Sequence, residues 1–250
     1  PPGAERRAKL RELAALYEEH LEKPYEAIDA LERYVSEAAE DGAAGTGEGS
    51  EPVFEAFEAL ERLYSRVGMW AKVVESLQRH AALVADPDRA RDLRLRVAHV
   101  YEKELGQSDR AIDAYEAILA HASEDAEALA ALDRLHEAHG RFDDLQETLG
   151  KRAALARGTA RVELVRRRAR ILEEKLANPE AAAAALRDLG DEAVADDELM
   201  GAMLRNLRRA GLAHEAARVR QQRSEGERAS GSAPAVLQRI GLALGAPLGR

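Results

Sequence analysis

The chain has 250 residues, no cysteine and a net charge of −9, and its 46% hydrophobic residues are mostly alanine and leucine, with aromatics at only 4%. That composition favours helices; the absent thiols remove disulfides, thiolate metal sites and cysteine nucleophiles, and the acidic balance disfavours nucleic acid or an anionic membrane as the main partner. No stretch approaches the run of about eighteen apolar residues that spans a bilayer, so no membrane insertion is expected.

The N-terminal stretch "PPGAERRAKL" lacks the apolar core of a secretory signal and opens without a methionine, as a fragment or a processed chain would. Cytoplasm is the expected compartment, with export left open. Residues 5–40 carry Leu10, Leu13, Leu16 and Tyr17 at spacings of three and four, the mark of an amphipathic helix, then a break at Pro24 and a second helix, "YEAIDALERYV". The segment 40–52, "EDGAAGTGEGSEP", reads as an acidic, glycine-rich inserted loop. Its Gly42 and Gly47 have the spacing of a phosphate-binding loop, but Glu48 stands where a lysine should meet phosphate and no strand precedes it, so a flexible insertion is expected.

Residues 52–85 form the next pair, with Gly68 between its helices, and residues 87–122 repeat the opening of the chain: "YEKELGQSDRAIDAYEAIL" at Tyr101 matches "YEEHLEKPYEAIDALERYV" at Tyr17, 84 positions earlier. Residues 124–157 repeat the second pair at an offset of 72, laying Leu132, Leu135, Gly140 and Leu149 over Leu60, Leu63, Gly68 and Leu77. Residues 159–190 follow the third pair at an offset of 71, and residues 196–224 hold a sixth unit running from Leu207 through Gly211 to Ala216. Asp86-Pro87 and Asn178-Pro179 join a capping side chain to a proline at the first helical position, and Ser108 offers a cap at the matching place. The last second helix turns polar, with Arg220 and Arg223 where earlier copies have leucine or tyrosine, as a terminal repeat meeting water requires. A linker at 225–234 and a short capping helix or tail at 235–250 complete the chain. In that tail Val236, Leu237, Ile240 and Leu244 share one face.

Each second helix opens on a small or apolar residue: Ala27, Val73, Ala111, Leu145, Ala182 and Ala216. A unit of about 34 residues with an aromatic near the end of its first helix, a glycine turn, and then alanine followed by an aromatic or leucine resembles the tetratricopeptide repeat. The residues carrying the resemblance are Tyr64, Gly68, Val73 and Leu77; Tyr101, Ala111 and Tyr115; His136, Gly140, Leu145 and Leu149; and Leu207, Gly211 and Ala216. Three units carry one extra residue before the second helix. The resemblance implies an all-α, right-handed solenoid of about six antiparallel helix pairs with protein or peptide partners; an armadillo or HEAT-like stack is the structural alternative.

Candidate chemistry is sparse. The "HEAH" at His136–His139 sets two imidazoles three apart, but His136 falls at the packing position of Tyr17, Tyr64 and Tyr101 and a third ligand is missing, so no metal, cofactor or catalytic residue is expected. The run Arg166–Arg168 turns about 100° per residue and reads as a solvated flank. A further pattern stands two residues before each first-helix anchor: Ala15, Arg62, His99, Arg134, Arg170 and Arg205. In the family resembled, that position faces the concave groove, so four arginines and a histidine would line it, widened by Arg66 and Lys103, and the arginines would offer forked donors to carboxylates. The competing reading neutralises them along their own helices, through Glu102, Glu137 and Glu173 three residues after His99, Arg134 and Arg170. The expected function is a non-catalytic scaffold binding an acidic or extended peptide segment. The alternatives are a section of a larger assembly or a self-associating rod, its acidic head (6 Lys/Arg against 15 Asp/Glu in residues 1–60) meeting its basic middle (9 against 3 in residues 151–175), and, more remotely, a helical-repeat enzyme or metal-binding protein.

Overall fold

A computed structural model describes residues 2–40 and 51–229. Among these residues the fold is all-α, and they fall into two compact units that divide between Leu135 and His136. The first unit holds α1 (Pro2–Glu19), α2 (Pro24–Glu40), α3 (Glu51–Arg66), α4 (Trp70–Leu83), α5 (Pro87–His99) continued by a π-helical turn (Val100–Glu104), α6 (Ser108–His121) and most of α7 (Ala126–Ala138). The second holds α8 (Phe142–Leu155), α9 (Gly158–Glu174), α10 (Pro179–Arg187), a short α11 (Asp191–Ala195), α12 (Asp197–Arg209) and α13 (Ala213–Ala229).

Within each unit consecutive helices pack on one another, as α1 on α2, α3 on α4 and α5 on α6, and then α9 on α10 and α12 on α13. The six residues expected to open the second helices are all buried, at 0–4% exposure for Ala27, Val73, Ala111, Leu145, Ala182 and Ala216. In the first unit α5 serves two clusters at once. Leu93 and Val97 join the core built on Leu31, Phe57, Leu63 and Leu77, while Leu95 and Ala98 join Ile112, Tyr115 and Leu132. A helix with apolar residues on both flanks is what a stacked pair requires, because each pair must bury a face against the one before and the one after.

The turn between paired helices is built the same way six times. The carbonyl of the anchor residue accepts a backbone N–H five residues on in three turns (Met69 to Tyr64, Arg141 to His136, Leu212 to Leu207) and six residues on in the other three (Lys23 to Tyr17, Gln107 to Tyr101, Asn178 to Leu172), at 2.8–2.9 Å. The extra residue read from the sequence is the difference between these two closures. The residue that donates then accepts, through its own carbonyl, the N–H of the buried opener: Ala27, Val73, Ala111, Leu145, Ala182 and Ala216 bond to Lys23, Met69, Gln107, Arg141, Asn178 and Leu212 at 2.9–3.1 Å. Each turn also contains one left-handed residue, which is glycine at Gly68, Gly106, Gly140 and Gly211 but Glu22 and Ala177 in the other two.

The helix starts follow their caps. Asp86 accepts the Asp88 N–H with Pro87 at the first position, and Asn178 accepts the Ala181 N–H with Pro179 behind it. Ser108 is a correction: it is already the first helical residue of α6, because Gln107 occupies the cap position with its N–H committed to Tyr101, and no side chain caps that end. The insertion expected at 40–52 has helix at both ends, Glu40 closing α2 and Glu51 opening α3; residues 41–50 lie outside the described residues. Residues 225–229, expected to open a linker, belong to α13, which runs to Ala229, its Gln221 side chain donating to Glu225 one turn on; residues 230–234 lie outside the described residues. The segment 235–250 lies outside the described residues.

The two non-glycine left-handed residues provide a stability test. A side chain there costs about 1 kcal/mol that glycine avoids, so Ala177→Gly should raise the unfolding free energy by up to about 1 kcal/mol, and Gly68→Ala, whose added methyl meets open space, should lower it by a similar amount. Urea midpoints at constant slope check both.

Candidate functional site

The residue after the anchor, where it is glutamate, reaches a basic side chain on the next first helix. In the first unit Glu18 of α1 receives Arg62 Nε at 3.3 Å, Arg62 Nη2 at 2.9 Å and Arg66 Nη2 at 2.7 Å, both arginines standing on α3. Glu102, in the π-helical turn, receives both ends of the Arg134 fork from α7, one bond at 3.1 Å, and Lys103 Nζ at 2.7 Å. His99 Nε2 lies 3.9 Å from Glu127 on α7, its ring set edge-on to Tyr115. In the second unit Glu137 takes Arg167, Glu173 takes Arg209 at 2.7 Å and the Asn206 amide at 2.9 Å, and Arg170 reaches Glu198 on α12 at 3.4 Å.

These partners correct the competing reading of the sequence. Glu102, Glu137 and Glu173 do not pair with His99, Arg134 and Arg170 three residues back along the helix; apart from the Lys103 contact of Glu102, they bind residues one repeat further on. The cause is geometric. An anchor side chain points into its own pair, so the following residue, turned about 100° from it, lies on the flank that meets the next first helix. Of the predicted site residues, the structure brings Arg62 and Arg66 together on Glu18, and Lys103 and Arg134 together on Glu102. Arg205 is exposed and makes no ion pair among the described residues.

The two carboxylates differ from their arginines in exposure: the Glu18 and Glu102 side chains are 17% and 6% exposed, while Arg62 and Arg134 remain at 58% and 52%. Hydrogen bonding to Arg134 outweighs partial burial and draws the Glu102 carboxyl down to about 2 from an ordinary 4.5. Burial raises Glu18, but the forks of Arg62 and Arg66 together overcome it, leaving that carboxyl below its usual range. Each guanidinium is therefore held by a sheltered carboxylate while its side chain stays about half exposed.

A second device recurs beside the first. Asp125 caps α7 by accepting the N–H groups of Glu127 and Ala128, and also takes Arg91 Nε from α5 at 2.5 Å. Asp196 caps α12 through Glu198 and Leu199 and lies 3.5 Å from Arg166 of α9. The sequence offered a signal here, an aspartate at a helix start with an arginine 34 or 30 residues earlier. No such signal announced the buried group on α3 and α4. The Glu61 and His80 side chains, each 1% exposed, meet at 3.1 Å; His80 stacks between Phe54 and Phe57, and the Arg96 guanidinium comes within 2.9 Å of the other Glu61 oxygen.

The arginine run resolves into separate contacts, with Arg166 to Glu163, Arg167 to Glu137 and Arg168 to Gln146, as a 100° step dictates. His136 is buried at the anchor position and His139 is exposed; among the described residues no three His, Asp or Glu side chains converge on a point that would hold a metal ion.

Residues 56–91, which run through most of α3, all of α4 and into α5, match the tetratricopeptide repeat family. The chain is a tetratricopeptide-like helical-repeat protein. Among solved structures it is similar to MamA, at 21% identity over 58% of this chain and 75% of that one with a TM-score of 0.38. It is also similar to a tetratricopeptide repeat protein from Parabacteroides merdae ATCC 43184, at 16% identity over 87% and 78% with a TM-score of 0.41. No curated protein matches it.

The lowered Glu102 carboxyl sets a pH dependence. A group whose folded-state value lies below its unfolded one contributes stability in full above the unfolded value and loses it as pH falls through the folded one. The Glu102–Arg134 contribution should thus be complete above about pH 5 and fade between about 4.5 and 2. Urea unfolding at about pH 6 and about pH 3 should show a smaller acid loss in Glu102→Gln than in the parent protein.

Proposed function

We infer that the chain acts as an interaction scaffold: within each unit, paired helices bury a core and leave a face of first-helix side chains for a protein partner. We propose that this face takes an extended, acidic peptide segment, with Arg62, Arg66, His99, Lys103 and Arg134 as contacts in the first unit and Arg170 and Arg205 as contacts in the second. The observation that carries the reading is the division of labour at Glu18 and Glu102. A free arginine loses roughly 0.5–1.5 kcal/mol of rotamer freedom when a ligand fixes it. Arg62, Arg66 and Arg134 are already held by these carboxylates, and their side chains stay 50–58% exposed with N–H donors to spare. A peptide carboxylate meets groups whose ordering cost has been met in the folded protein, and the sheltered glutamates need not be displaced.

The test uses fluorescently labelled peptides of defined composition, one rich in Asp and Glu, one neutral and one basic, titrated by polarisation. The acidic peptide should bind most tightly, weaken with added salt, and lose at least about tenfold in affinity, some 1.4 kcal/mol, on replacement of Arg62, Arg66 and Arg134 by alanine in a protein that stays helical. Equal affinity for the acidic and neutral peptides would sink the proposal.

A second reading, a section of a larger assembly or a self-associating rod, is favoured by the first helix pair, which exposes Leu13, Leu16, Leu21 and Tyr25 at 38–63%. On that reading the sedimentation coefficient rises with concentration, and Leu16→Glu with Tyr25→Glu returns the protein to a monomer.

A further inference from the structure

The second unit contains a cleft of about 1060 Å³ that its own helices leave open. Val194 and Ala195 of α11, Met203 of α12 and Val219 of α13 form its apolar lining, with Arg187, Glu215 and Arg218 among its polar groups. Arg187 and Glu215 pair with each other at this edge. The cleft runs along α13 as far as Glu225 and Gly226. Gly226 sits inside a helix, where glycine costs about 1 kcal/mol relative to alanine, and a methyl placed there would meet nothing within 4 Å. A missing side chain over open space is how a helix lets a second backbone come close.

Four residues after the opener, the other second helices carry Leu31, Leu77, Tyr115, Leu149 and Leu186, all buried. The α13 helix replaces that residue with arginine, so it is not built to receive a further helix pair of the same kind. Something shorter suits it.

We propose that the chain's own residues 235–245, "AVLQRIGLALG", occupy this cleft as a short helix. Three observations favour this occupant. The first is register: Val236, Leu237, Ile240 and Leu244 fall within about 100° of one another on a helix, while Gln238 lies on the far side. The second is reach, since α13 ends at Ala229 beside the cleft, and the five residues 230–234 can span up to about 17 Å. The third is concentration: a tether this short holds its cargo at an effective concentration in the millimolar range, so a modest apolar contact suffices and a second copy competes poorly. The inference is independent of the arginine face.

The absence of cysteine makes the test clean. Val194→Cys combined with Ile240→Cys should form an intramolecular disulfide under mild oxidation, seen as a faster-migrating monomer on a non-reducing gel. Val194→Cys with Gln238→Cys should form it at least fivefold less. Equal yields from the two pairs, or a disulfide-linked dimer as the main product, would overturn the proposal, the dimer pointing to a second copy as the occupant. The full chain without cysteines gives a second measurement: Leu237→Asp with Ile240→Asp should speed amide exchange across residues 219–226 at least tenfold, and unchanged exchange there would overturn it equally.

Discussion

The structure depends on a two-step backbone relay at each turn. The anchor carbonyl accepts from a turn residue, and that residue's carbonyl accepts from the opener of the second helix. The relay fixes where the second helix begins relative to the end of the first, and the opener, buried to 4% exposure or less in all six pairs, then sets how closely the two helices approach. Alanine at four of the six openers allows a close approach; Val73 and Leu145 fill the same place with more volume. Because the relay uses only backbone groups, it is insensitive to side-chain identity, which explains how Tyr64, His136 and Leu207 serve as anchors in turns of the same span.

The ion pairs follow from that constraint. Once each pair has a fixed geometry, stacking places the residue after an anchor beside the next first helix. Glu18, Glu102, Glu137 and Glu173 then find arginines at sequence separations of 44, 32, 30 and 36. The longest separation spans the 41–50 segment, and the contact is made nonetheless. The pairing obeys the spatial period of the stack and is indifferent to residues added in a connection, which is why loops of a helical repeat tolerate insertion while the face of its first helices does not.

The sequence made the packing legible and the electrostatics only half so. Openers, anchors and the extra residue in three turns could be read because they repeat and because burial leaves few residue types able to serve. The arginine row was readable as a row. Its partners were not, since the choice between a glutamate three residues away on one helix and another some thirty residues away depends on which flank faces the neighbouring pair, and an amphipathic pattern marks only the face toward the core. Ser108 misled for a related reason: a capping residue type stood one position late, and the backbone relay through Gln107, which leaves no trace in residue type, decided where the helix began.

The buried Glu61–His80 contact shows the cost of the opposite arrangement. There a carboxylate lies in the core of the first unit, stacked aromatic rings on one side and a single guanidinium at its edge, and removing either partner would strand a desolvated charge or dipole. Glu18 and Glu102 avoid that extreme: they are sheltered enough to be held firmly, and their arginines are exposed enough to remain solvated. Exposed ion pairs contribute little to stability, of order 0.2–1 kcal/mol each, so the Glu18 and Glu102 contacts add little to the packing that holds the helices. On the reading proposed above, their effect is on the arginines, which they order without burying, and ordering without burial leaves a forked cation available to another carboxylate.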